Sequence, residues 1–176
     1  DFRMLENLSN VVESLLGNRD KLLKSIQKKY NLEYNYALDY IVNHIKILLN
    51  IIEDRRIDNF IYKTSPGYKG YYHELYNKYF NSRIIDKGLE STEFREENWD
   101  SYLFRLTNLI NVNKDLDALY GMKAIYKKID LGNIDRLKDT PDALRLAVDI
   151  FEIIEDNVPK PPKDDESGDG ESKDCE

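Results

Sequence analysis

Apolar residues recur at alternating steps of three and four along most of this chain, and that spacing admits helices and little else. Leu5, Leu8, Val12, Leu15, Leu22 and Ile26 form the first such series, with Arg19 at the one interrupted position. About three heptads of this alternation make the seam of a coiled-coil-like N-terminal helix, and the same spacing serves a helix packed inside a globular domain. Gly17-Asn18 weakens the run, because a mid-helix Gly costs about 1 kcal/mol relative to Ala. A second series, Tyr34, Leu38, Ile41, Ile45, Leu48 and Ile52, is widened by Ile47, Leu49 and Ile51. Its breadth predicts burial on more than one side, so this helix is expected at the centre of the fold. The charged quartet Glu53-Asp54-Arg55-Arg56 is expected to close it, and Thr64-Ser65-Pro66-Gly67 reads as a strong turn.

The next stretch is aromatic. Tyr68, Tyr71, Tyr72, Tyr76, Tyr79 and Phe80 crowd into thirteen residues, and helical pitch places Tyr68, Tyr72, Tyr76 and Tyr79 roughly on one side. Flat rings with hydroxyl tips suit a proline-rich peptide in the polyproline II conformation. The plainer alternative is that amphipathic tyrosines tile a partly exposed helix. Ile84 to Thr92, with Gly88 inside it, reads as a loop. A helix from Asn98 to Ile110 is expected to bury Trp99, Leu103, Leu106 and Ile110.

From Asp115 to Phe151 two amphipathic helices follow. Leu116, Leu119, Met122, Ile125, Tyr126 and Ile129 share one face, and Leu131-Gly132-Asn133 is expected to end that helix. Thr140-Pro141-Asp142 marks the next start, with Thr140 as N-cap, Pro141 at the first helical position and an acid at the positive end of the dipole. Leu144, Ala147, Val148, Ile150, Phe151 and Ile154 form its apolar face.

The same stretch resembles the end of the N-terminal region of collagen prolyl 4-hydroxylase α subunits. Asp115-Leu116, Ala118, Gly121-Met122, Ile125 and Leu131 keep that family's order after a one-residue shift. Ile129 stands where the family has Tyr, and Tyr126 replaces its usual Gln. Further on, Asp142, Leu146-Ala147 and Phe151 match the spacing at which its tetratricopeptide-like helices begin, with Ala143 in place of Cys. The family's upstream Asn-Pro segment has no counterpart in this chain. The resemblance implies a dimerisation module of the secretory pathway, in the endoplasmic reticulum lumen or secreted, with the seam from Leu5 to Ile26 buried against a second copy or another helical protein. In the family the peptide site lies in the tetratricopeptide-like domain, which this chain only begins.

Charge and composition narrow the function classes. The chain carries −7 at pH 7, and three lysines and seven acids over 157–176 account for −4 of it. That balance, without a basic stripe, speaks against nucleic acid. No apolar run has the length of a membrane span. A start at Asp1 fits a removed signal peptide, and Asn7-Leu8-Ser9 fits an N-glycosylation sequon. The lone Cys175 leaves only an intermolecular disulfide open. Residues 157–176 are rich in Pro, Gly, Ser and acids and are expected to form a disordered tail.

No catalytic constellation is expected. The dioxygenases of the resembled family hold iron with a His-x-Asp pair and a distant His, whereas His44 precedes Ile45-Lys46, His73 precedes Glu74-Leu75, and the chain has two histidines in all. Asn77 stands where a zinc-protease helix requires its second His. His44, beside the apolar stripe, is expected to be structural. None of the 33 acids is expected inside an apolar run that would raise its pKa. The reading is therefore an all-α bundle of about five or six amphipathic helices over 1–156 with an acidic tail over 157–176. It predicts no enzyme, no cofactor and no metal. Its functions are subunit association through Leu5, Leu8, Val12, Leu15, Leu22 and Ile26, or peptide binding by a stand-alone secreted protein through Tyr68, Tyr72, Tyr76 and Tyr79.

Overall fold

The computed structural model describes residues 20–161, and every regular element among them is helical. Leu5, Leu8, Val12, Leu15, the Asn7 sequon and the tail from Pro162 lie outside the described residues. Helix α1 spans Asp20–Tyr30. It stops where Asn31 adopts φ +53°, a left-handed conformation that Asn tolerates, and Leu32 N–H returns to the Gln27 carbonyl at 3.1 Å.

Helix α2 runs Tyr34–Thr64, 31 residues. The charged quartet does not close it, because those residues are good helix formers that pair along the helix: Arg56 Nη1 meets Glu53 at 2.5 Å and Arg55 Nη2 meets Asp58 at 3.4 Å. Its first half buries Ile41, Ile45, Leu48 and Ile52 almost completely. Leu49 and Ile51 join this face, whereas Ile47 stays exposed. The second half leaves the core, with Ile57 and Phe60 facing solvent.

Ser65 ends α2 at the expected turn, and Pro66 opens α3, Pro66–Tyr76. The backbone then stays right-handed helical through a π-helical stretch, Asn77–Ile85, into α4, Asp86–Glu90. The loop expected from Ile84 to Thr92 is thus helical as far as Glu90. Gly88 is a packing glycine: a Cβ there would lie 2.7 Å from the Phe104 ring. Leu89 is buried, and the buried Arg105 holds the end of α4 and the segment after it through the carbonyls of Leu89, at 3.4 Å, and Phe94, at 2.6 Å.

Asn98 caps α5, Trp99–Thr107, its side chain accepting the Ser101 N–H at 2.9 Å. Because α5 ends at Thr107, Leu109 turns inward and Ile110, expected in the core, is 46% exposed. Tyr102 is fully buried, its hydroxyl donating to the Tyr120 carbonyl at 2.7 Å, and burial pushes the phenol up to about 12.

Helix α6, Met122–Ile129, is shorter than its apolar pattern predicts. It begins after Gly121 at φ +76°, where a Cβ would meet Ile153 and Asn157 at 2.9 Å. It ends at Asp130 with φ +48°, not at Gly132, which falls in the following 3₁₀ turn, Leu131–Arg136. Helix α7 spans Thr140–Asn157. Its cap is Asp139 rather than Thr140: Asp139 Oδ1 accepts the Asp142 N–H at 2.9 Å, which places Pro141 one step inside the helix.

The core is chiefly the packing of α7 on the first half of α2. Ala143, Leu144, Ala147, Phe151 and Ile154 share one cluster with the buried isoleucines of α2, together with Leu23 and Ile26 of α1. Each large side chain of that cluster contributes about 1.5–3 kcal/mol. The two helices run antiparallel, since Arg56 Nε reaches the Leu137 carbonyl at one end and Tyr40 reaches Glu155 at the other. Among the described residues no helix is long and apolar enough to cross a membrane.

Candidate functional site

Where α2 leaves the core, its second half, α3 and the turn after α5 diverge and leave a groove. Two adjoining clefts of about 400 Å³ and about 330 Å³ make it up, and both are lined by Arg55, Asp58, Tyr62, His73 and Ile110. Asp54, Tyr72, Tyr76 and Asn108 are among the other residues lining the larger cleft, and Lys69, Lys114 and Tyr126 among those lining the smaller. The groove's lining therefore mixes aromatic rings with polar and charged groups.

Three of the four sequence-nominated tyrosines form a ladder along α3. The ring centres of Tyr68 and Tyr72 are 5.1 Å apart and those of Tyr72 and Tyr76 are 5.8 Å apart. Tyr72 and Tyr76 line the groove, and Tyr68 continues the ladder beyond its lining. Tyr79 stands in the π-helical stretch, 53% exposed, with Lys78 Nζ over its ring. Opposite the ladder, Tyr62 of α2 stacks on His73 at 6.3 Å. Burial, and then the Asp58 carboxylate, raise the Tyr62 phenol above its ordinary range, so it stays a hydroxyl able to donate.

Arg55 is the groove's chemical centre. Its Nη2 pairs loosely with Asp58 at 3.4 Å, while Nε and Nη1 are shielded from solvent and have no hydrogen-bond partner. Each buried donor left unmet costs ~1–3 kcal/mol, so this guanidinium lacks an acceptor. Arg55, Tyr62 and His73 were not nominated from the sequence. Once α2 is continued past its charged quartet, Arg55, Asp58 and Tyr62 fall at i, i+3 and i+7 on one face, which is the signal that reveals them.

A second polar site lies near the other end of α2, inside the protein. Glu155 is 6% exposed on the core face of α7, between Ile154 and the chain's own aromatic cluster. Phe151, Ile154 and Glu155 follow helical spacing on a single face, so the apolar face of α7 carries an acid that the sequence reading did not single out. Four side chains from three helices converge on its carboxylate. Lys29 Nζ of α1 donates to Oε2 at 2.7 Å and Tyr30 to Oε2 at 3.1 Å. Tyr40 of α2 donates to Oε1 at 2.6 Å and Trp99 Nε1 of α5 at 2.8 Å. Burial, then the bond to Glu155, hold the Tyr40 hydroxyl far above its ordinary range.

His44 completes this cluster with its ring between Tyr40 and Trp99, at 4.2 and 4.1 Å. Its Nδ1 lies 2.8 Å from the Tyr40 carbonyl, which only accepts, so Nδ1 carries the proton. Burial lowers its pKa despite the opposing effects of that carbonyl and of Glu155. With its lone pairs filled by protein donors, the Glu155 carboxylate clamps helices together and offers no open position to a ligand.

The association residues nominated from the sequence divide. Leu22 and Ile26 lie in α1, where Ile26, 1% exposed, is part of the chain's own core and Leu22 packs against it while half-buried. Among the described residues no group of three His, Cys, Asp or Glu side chains is placed to hold a metal ion. No protein-family model matches this chain, and no curated protein or solved structure does either.

Proposed function

We propose that this chain is a non-catalytic helical binding module whose tyrosine-lined groove takes an extended, proline-rich segment of a protein partner. The observation that carries the proposal is the ladder of half-buried Tyr72 and exposed Tyr76 lining a groove that also holds an under-paired arginine. Aromatic rings give a proline-rich chain flat apolar contact, and hydroxyls and guanidinium give its carbonyls donors. A polyproline II ligand is already extended, so little ordering entropy opposes its binding. The resemblance to prolyl 4-hydroxylase α subunits supports placing the module in the secretory pathway.

The test is titration of the full chain into fluorescein-labelled decaproline, read by anisotropy. Saturable binding is expected, weakened at least about tenfold, or ~1.4 kcal/mol, by Tyr72→Ala with Tyr76→Ala. Decaproline that fails to bind, or that binds the double variant equally, removes the groove as the site.

Association of two copies through the N-terminal seam is the second reading. It is favoured by Leu22, which keeps part of its surface outside the core. Because Ile26 is already buried within its own chain, such pairing would rely on Leu5, Leu8, Val12 and Leu15.

A further inference from the structure

We propose that the smaller cleft of the groove holds a side-chain carboxylate of the bound segment, with Arg55 as its anchor; the inference rests on the peptide-binding reading. The cleft of about 330 Å³ is lined by three cations, Arg55, Lys69 and Lys114, against one acid, Asp58. Lys69 Nζ lies over the Tyr62 ring at 5.8 Å and Lys114 Nζ over the Tyr126 ring at 5.9 Å, so both cations are drawn toward the cleft walls. Lys114 Nζ also donates to the Asn111 carbonyl at 3.3 Å.

Arg55 supplies the second, independent observation. Two of its nitrogens are without partners although they are shielded from water, and Asp58 meets only the third, at 3.4 Å. A guanidinium fork is the geometric complement of a carboxylate, which can accept from two of its N–H groups at once. Arginine's long side chain can turn its fork toward an acceptor arriving from the groove, and the two lysines add charge at the same place. An uncharged ligand would leave this excess unanswered. A lysine-bearing ligand would meet like charge.

Three fluorescein-labelled decaprolines with a central Glu, Gln or Lys, titrated into the full chain, test this. The Glu peptide is expected to bind about tenfold tighter than the Gln peptide, with the Lys peptide weakest. The Glu-to-Gln ratio should shrink between about 0.05 and about 0.5 M salt, as charges near a surface are screened. Arg55→Gln should bring the Glu-to-Gln ratio to about one, by weakening the Glu peptide more than the Gln peptide. Lys69→Gln with Lys114→Gln, at one exposed and one half-buried lysine, should lower the ratio while the Gln peptide still binds. Equal binding of the Glu and Gln peptides, or tightest binding of the Lys peptide, overturns the carboxylate site and leaves the groove reading standing. Binding of none of the three overturns both.

Discussion

Glu155 and His44 show how far single residues shape this fold. A carboxylate buried beside Phe151 would be prohibitive if unpaired, yet it accepts from a lysine, two tyrosines and the chain's one tryptophan. Glu155→Gln keeps the shape but removes the charge that Lys29 needs. It should destabilise the protein by about 3 kcal/mol, the order found when one partner of a buried ion pair is lost. Urea denaturation followed by Trp99 fluorescence measures this directly, since the indole N–H is one of the four donors. A change under about 1 kcal/mol would mean that the clamp is carried by the neutral hydrogen bonds alone. His44 gives a prediction in pH. Its folded pKa is depressed by burial, so below about pH 6.5 the unfolded chain binds a proton that the folded chain resists. The stabilisation is present above the unfolded pKa and is lost as the pH falls through the folded one. Unfolding free energy should decline from pH 7.5 to pH 5, and His44→Phe, which keeps the ring between Tyr40 and Trp99, should flatten that part of the slope.

Elements in this chain begin and end for reasons that differ in how well residue type announces them. Gly88 sits inside α4 because the Phe104 ring occupies the space of a Cβ. Gly88→Val should therefore lower the melting temperature by several degrees, the shift that about 1–3 kcal/mol of overpacking gives a domain of this size. A Phe104→Ala change in the same chain should recover part of the loss, and a simple loop glycine would show neither effect. The same glycine explains why α4 was unreadable: Gly signals both a turn and a close approach, and only the partner ring distinguishes them. Glu53-Asp54-Arg55-Arg56 was ambiguous in a similar way, since charged residues that end an apolar stripe also propagate a helix through i,i+3 pairs. The all-α class was legible because a three-and-four period has one structural solution, and the turn at Ser65-Pro66 was legible because Pro cannot continue a helix interior. The π-helical stretch left no mark that residue type could reveal. Of the groove, the sequence exposed the tyrosine ladder but not Arg55, whose role appears only once α2 is carried past the point where its apolar stripe stops.

At the scale of the whole molecule, the two proposed functions are assigned to different residues and are separable by mutation. The Glu155 clamp fixes the C-terminal turn of α1 beside Tyr40, while the groove begins at Arg55, fifteen residues and roughly 22 Å further along α2 at 1.5 Å per residue. Light scattering over a concentration series is expected to give about twice the 20.8 kDa chain mass, falling to one chain for Leu8→Glu with Leu15→Glu. That variant should keep the parent's decaproline affinity per chain and its helical circular dichroism, because the pairing reading assigns both positions to the interface between copies. Conversely, Tyr72→Ala with Tyr76→Ala should lose the peptide and keep the mass. Ile26→Glu separates seam from core, because a charge in a position 1% exposed should undock α1 and lower stability whatever the mass. A parent that is monomeric at every concentration would end the pairing reading and leave the groove as the proposed site. A seam variant that loses peptide binding along with its mass would show instead that the groove needs both copies.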